Sequence, residues 1–163
     1  MRYLPNQIFT LTTSLSSDQV IEKIGLNIEI AKKEKFKIYT KLFKGYILGN
    51  SFKLVRSLSY RNSFQAEIFG EIEILRNGTS VKLNMKLNPA VKVFIIIWCA
   101  FISLFLIGLI VSATNNPKIA IACFIPFGML VFGYGLTMIC FNADCNESKK
   151  ILTSLLDAEL SSA

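Results

Sequence analysis

Residues 93–113 read VFIIIWCAFISLFLIGLIVSA, 21 positions without a single charge. At about 1.5 Å of rise per residue, a helix of that length covers roughly 31 Å, close to the hydrocarbon thickness of a bilayer. A second uncharged run, IAIACFIPFGMLVFGYGLTMICF, fills the 23 positions 119–141. Only Thr114, Asn115, Asn116, Pro117 and Lys118 lie between them, a connection so short that the two helices must be antiparallel neighbours. One apolar helix can be the core of a soluble domain, but two in tandem exceed what a domain of this size could cover. The expectation is a transmembrane helical hairpin over 91–142, with spans near 93–113 and 119–141.

Lysines orient the hairpin. Lys82, Lys86 and Lys92 precede it, Lys149 and Lys150 follow it, and the loop carries Lys118 alone. By the preference of basic residues for the cytoplasmic side, both termini are expected there and the short loop outside. The opening Met1-Arg2-Tyr3-Leu4-Pro5-Asn6 lacks the apolar core of a secretory signal, in keeping with that placement. On the cytoplasmic side, Asn77-Gly78-Thr79 and Asn146-Glu147-Ser148 are not glycan acceptors. The second span contains Pro126, Gly128, Gly133 and Gly135. Pro126 is expected to kink the helix, and the glycines to allow close helix approach. They fit packing within the hairpin or against a second copy, or a hinge or pore lining. Neither span holds Asp, Glu, Lys or Arg, so an ion-coupled carrier would lack its usual chemistry.

Hydrophobic residues make up 52% of the 163 positions, and most of the excess lies after Ala90. Before that residue stand 14 of the 18 Lys and Arg but 7 of the 11 Asp and Glu, a net +7. A basic domain beside a membrane anchor faces anionic headgroups or the cytoplasm. Arg56, Arg61, Lys82, Lys86 and Lys92 are the candidate contacts for an anion or headgroup. Nucleic acid is a poor fit, because the positive residues are spread along strands with Glu among them. There is no histidine, which removes Ser-His-Asp and Cys-His nucleophilic sites and His-ligated zinc. Cys99, Cys123, Cys140 and Cys145 form no CxxC pair and three lie in apolar runs, so they read as packing residues. No metal site, cofactor or catalytic residue is expected.

The expected fold class is α+β: a cytoplasmic antiparallel sheet with about one packed helix over 1–90, then the hairpin, then a short amphipathic helix within 143–163. Phe64, Ala66, Ile68, Gly70, Ile72 and Ile74 alternate with Gln65, Glu67, Glu71 and Glu73, interrupted by Phe69. Asn77-Gly78 follows, a strong hairpin signal. A turn centred on those two residues would pair Ile74 with Val81, Ile72 with Leu83 and Glu73 with Lys82. A second hairpin is expected at Gly49-Asn50, joining strands near 36–48 and 51–60, with Arg56 breaking an apolar face. Phe9 to Thr13 reads as a strand, and Ser16 with Gln19 as a capping box opening a helix through Val20, Ile21 and Ile24. Residues 26–35 fit helix and strand equally. In 146–160, Ile151, Leu152, Leu155, Leu156 and Leu160 share a helical face, which either lies on the membrane or docks on the sheet.

Phe43-Lys44-Gly45, Phe52, Tyr60-Arg61-Asn62-Ser63-Phe64, Gly70, Gly78-Thr79, Met85-Lys86-Leu87 and Trp98 resemble, in order and spacing, a family of small uncharacterised bacterial membrane proteins. The pattern is an F-x-G strand, a YRNSF segment, a G-x-I strand, a G-T turn and a two-helix hairpin with an early Trp. The resemblance covers about residues 40–141 and implies a bacterial inner-membrane location. It implies no activity. Tyr60, Arg61 and Asn62 either bond neighbouring backbone at a strand connection or present the guanidinium to an anion.

The functional expectation is a non-enzymatic membrane protein. Its sheet domain would bind a protein partner, a lipid headgroup or a small ligand at the bilayer surface. The alternative is a ligand-gated effector or pore that homo-oligomerises through the hairpin. Glu67, Glu71 and Glu73 are two residues apart, the spacing of a solvated strand face and not of a converging catalytic pair.

Overall fold

The computed structural model describes residues 5–29, 41–59 and 62–161. The chain divides into two compact units, one formed by Met1–Leu87 with Phe141–Ala163 and the other by Asn88–Cys140. Phe141–Ala163 group with the sheet unit, the docking alternative given for the segment after the hairpin.

Among the described residues, unit one has seven strands: β1 Asn6–Thr13, β2 Ile28–Glu29, β3 Phe43–Leu48, β4 Ser51–Arg56, β5 Ala66–Leu75, β6 Gly78–Leu87 and β7 Glu159–Ser161. Their order across the sheet is β2-β3-β4-β5-β6-β1-β7. Every pairing is antiparallel except β2 with β3. The sheet is therefore mixed, a correction to the all-antiparallel expectation. The parallel pair is two residues long, Ile28 with Phe43 and Glu29 with Lys44, too short to leave a pattern in the sequence. Residues 30–40 and Tyr60-Arg61 lie outside the described residues, and with them most of the undecided stretch 26–35 and part of both expected strands; within that stretch Leu26 ends the first helix and Ile28–Glu29 form β2.

Helix α1, Ser17–Leu26, begins as its sequence dictates. The Ser16 hydroxyl accepts from the Gln19 N–H, and the Gln19 side chain accepts from the Ser16 N–H, which satisfies two otherwise orphaned donors. Val20 and Ile24, one turn apart, are fully buried. The Gly49-Asn50 hairpin is also as expected, with Leu48 opposite Ser51.

The β5–β6 hairpin has the expected faces but a different register. Ile72 faces Val81, Ile74 faces Thr79 and Glu73 faces Ser80, while Leu75 and Gly78 flank a turn made by Arg76 and Asn77. The shift is two residues along the partner strand, so no side chain changes face. Ala66, Ile68, Ile72, Val81, Leu83 and Met85 are buried, whereas Ile74 extends past the core and is exposed. Gly78 explains the choice. A Cβ there would stand 2.1 Å from the carbonyl oxygen of Thr13, and its φ is +131°. A residue held both against a neighbouring backbone and at positive φ has to be glycine, which places it at the strand end. Gly70 serves a different purpose, leaving room for the Phe52 ring of the adjacent strand; a Cβ would lie 2.0 Å from it.

The helix after the connection differs most from expectation. A 3₁₀ helix over Pro117–Cys123 leads into α3, which runs unbroken from Phe124 to Leu155. The expected short C-terminal helix is the last part of α3. Beyond Gly135 no Gly or Pro interrupts the chain before Leu155, so nothing local ends the helix. Phe141, Cys145, Leu152 and Leu156 are fully buried, together with Ser148. Spacings of three and four put them on one face, which packs on the sheet. Each large apolar member contributes about 1.5–3 kcal/mol by leaving water. Asp157, at φ +46°, turns the chain out of α3 and into β7, which pairs with β1. Leu160 therefore lies on a strand and is exposed, not on the expected helical face.

Unit two comprises α2, Pro89–Asn115, with the 3₁₀ helix and the first part of α3. The Asn88 side chain caps α2 by accepting from the Ala90 N–H at 2.9 Å, and Pro89 fills the first helical position. Pro126, expected inside a helix, sits in the first turn of α3. There its missing N–H deprives the α-helix of no hydrogen bond.

Replacing Gly78 by Val is expected to cost more than about 2 kcal/mol in unfolding of the full chain, through backbone collision and forced positive φ. Glu73→Ala, on the exposed face, should stay within roughly 0.5 kcal/mol. Chemical denaturation followed by circular dichroism separates the two, and equal effects would contradict the observed register.

Candidate functional site

Of the candidate anion contacts described in unit one, Arg56 is on the inner face of the sheet and Lys82 and Lys86 are on the outer face. Arg56 ends β4, and its side chain is 13% exposed, with Nε 3.5 Å from the Oδ1 of Asp144 on α3. The Asp144 carboxylate is 2% exposed. Its Oδ2 accepts from the Ala66 N–H at 2.9 Å, at the first residue of β5. The Gln65 side chain donates to the Arg56 carbonyl. Asp144 therefore fastens the helix to β4 and β5, and the charge of Arg56 is directed inward. Arg61 lies outside the described residues.

Lys82 and Lys86 are on the outer face of the sheet, each opposite a carboxylate: Glu71 faces Lys82 and Glu67 faces Lys86. The Lys86 ammonium is 5.6 Å from the centroid of Phe69, and Lys53 approaches the same ring at 5.1 Å while pairing with Glu67 at 2.8 Å. This face is a lattice of alternating charge about one aromatic ring, and much of its basicity is compensated locally. Lys92 is exposed in the first turn of α2.

Of the residues proposed for helix packing, Gly133 has a partner. A Cβ there would lie 2.5 Å from the Trp98 ring, so the glycine admits the indole between α2 and α3. Thr137 reinforces this turn by donating its hydroxyl to the Gly133 carbonyl at 2.8 Å. Gly128 and Gly135 have nothing within 4 Å of a built Cβ. Among the described residues, no group of three His, Cys, Asp or Glu is placed to hold a metal ion.

Asp144 escaped sequence reasoning, whereas Cys145, read from the sequence as a packing residue, is fully buried. Asp144 is three residues after Phe141 and four before Ser148, so a helical face continued past residue 141 would have exposed a carboxylate within an apolar stripe. Burial pushes the Cys145 thiol from 9.0 up to about 12, and the Asp144 charge beside it adds to the shift. The thiol is protonated in both states below pH 9. Above it, the unfolded chain gains a thiolate that the folded chain resists, so this contribution to stability falls as pH rises from about 9 toward 12.

Asp144→Ala is expected to destabilise the full chain by roughly 3–5 kcal/mol, because it strands a buried guanidinium and the Ala66 N–H. Changing Arg56 to Met and Asp144 to Leu together should recover most of that loss, measurable in a double-mutant cycle. Iodoacetamide at pH 8 should leave Cys145 unmodified in the folded protein and alkylate it after unfolding, as read by peptide mass spectrometry.

No family model matches the chain, and no curated protein does. Comparison with solved structures finds a likeness to the solution NMR structure of the Polyketide_cyc-like protein Cgl2372 from Corynebacterium glutamicum. The two are 11% identical, with 86% of this chain and 91% of that chain covered and a TM-score of 0.32, a level at which no role is taken from it.

Proposed function

We propose that the protein is an integral membrane protein of the bacterial inner membrane. In this reading unit two is the anchor, both termini are cytoplasmic, and the sheet domain works by binding at the bilayer surface and not by catalysis. The observation that carries this reading is the exposure of the two apolar helices: only 6% of either apolar window is buried. Phe94, Ile97, Phe101 and Leu104 on α2, and Ile125, Phe132 and Ile139 on α3, are each more than half exposed. A soluble core helix hides such residues, and in water they would form an apolar surface far larger than monomeric proteins show. In a bilayer each Leu, Ile, Phe or Val near the helix centre contributes about −0.3 to −0.6 kcal/mol to insertion.

Unit one supports the hairpin reading independently. Leu87, where the chain leaves it, and Asn142, just after the return, are at the same end of the sheet: Gln7 of β1 pairs with Met85 and bonds Asn142 at 2.9 Å. A hairpin inserted from one side requires both attachments at one end. Lys92 is the principal candidate headgroup contact, with Lys86 and Lys82 weakened by the carboxylates opposite them. The acids Glu67 and Glu71 lie on the outer lattice, facing lysines, which favours binding over chemistry. An oligomeric effector is the second reading. It is favoured by Gly128 and Gly135, seven residues apart on one helix face and free of neighbours where a second helix could approach.

Membrane fractionation tests the anchor. The native chain should remain in the pellet through alkaline carbonate extraction, and a chain with 88–140 replaced by a flexible Gly-Ser linker should appear in the soluble fraction. Release of the native chain would sink the reading. In a background without native cysteines, a cysteine at Asn115 should react with an impermeant thiol reagent in intact cells, and one at Asn77 only after lysis.

A further inference from the structure

We infer that unit one is a topology checkpoint: residues 1–87 reach their native fold only when the hairpin has brought residues 141–163 back to the side on which the sheet was made. This rests on the membrane reading above. It follows from the division of one core between two chain segments separated by two apolar helices.

The returning segment fills the inside of the domain. Phe141, Cys145, Leu152 and Leu156 are fully buried in it, against an inner face that includes Leu11, Leu54, Ile68, Val81, Leu83 and Met85, also fully buried. The segment is fastened along its whole length. Near its start, Asn142 accepts from Gln7 at 2.9 Å and Asp144 accepts from the Ala66 N–H. Near its end, the Thr13 hydroxyl donates to the Leu156 carbonyl at 2.7 Å across 143 residues of sequence, and Lys23 meets Asp157 at 2.7 Å. β7 then pairs with β1 from Thr10 to Thr12. Within residues 1–87, α1 is the other described helix, and it buries two side chains, Val20 and Ile24.

These contacts have no local substitute. Before residue 141 returns, the guanidinium of Arg56 lacks its carboxylate, Ala66 lacks the acceptor for its N–H, and the apolar inner face lacks Phe141, Cys145, Leu152 and Leu156. An apolar face left open to water favours unfolding. Contacts more than 130 residues apart form only after the intervening chain is in place, and here that chain is the hairpin. A hairpin inserted with only one crossing would strand α3's final turns on the far side. Residues 1–87 would then stay open to proteases, so a wrongly inserted chain would be marked for removal.

Parity of crossings provides the test, in full-length chains in inner-membrane vesicles probed with trypsin from the cytoplasmic side. One additional apolar span placed in the 114–118 loop keeps every native residue but sends 141–163 across the bilayer. Cleavage within residues 1–87, at sites such as Lys53 and Lys82, should become at least about tenfold faster than in the native chain, as it should in a chain ending at Cys140. Two additional spans restore parity and should restore resistance, which rules out damage from the insertion itself. Native resistance in the one-span chain, or continued sensitivity in the two-span chain, would overturn the inference. Failure of the membrane reading is recognised separately, by release of the native chain in alkaline carbonate.

Discussion

A carboxylate held between a helix and two strands is the constraint on which the sheet domain depends. Asp144 lies on α3 just after the helix joins the sheet unit, almost fully buried, and engages the Ala66 N–H and the Arg56 guanidinium. A buried pair of this kind adds little net energy compared with a well-packed apolar pair, but losing one partner is costly. Its effect is therefore on position more than on stability. The pair fixes the rotation of α3 about its axis, and that rotation puts Phe141, Cys145, Ser148, Leu152 and Leu156 inward.

The outer face of the same sheet follows a different rule. There Lys and Glu alternate between neighbouring strands, with Phe69 beneath two ammonium groups. Arrangements of this kind keep an exposed sheet soluble and set its register weakly, since each pair contributes only about 0.2–1 kcal/mol. The net charge of the first ninety residues is consequently a poor guide to local potential. Arg56, one of the candidate contacts named from the sequence, is turned inward.

Unit two needs little beyond apolar composition and one interlocking contact. Trp98 fits against Gly133, where any side chain would collide with the indole. Phe94, Ile97, Phe101 and Leu104 on α2 and Ile125, Phe132 and Ile139 on α3 are exposed. α3 is one continuous helix whose residues are shared between the two units.

Local physics was legible in the sequence. The two uncharged runs, the capping box at Ser16, the Gly49-Asn50 turn and the inward alternation from Ala66 to Ile72 each depend on near neighbours, and each is present. Four features were decided only by the tertiary structure. The β5–β6 register moved by two residues because a period-two pattern is blind to a shift of one full period, and the Thr13 backbone made the choice at Gly78. The parallel β2–β3 pair is too brief to leave a periodic trace. The course of residues 141–155 needed the knowledge that no breaker interrupts α3 and that the sheet awaits its inner face. Arg56 and Asp144 are 88 residues apart, and no spacing rule connects them; only the folded chain, with α3 laid on β4 and β5, brings the two charges together out of water.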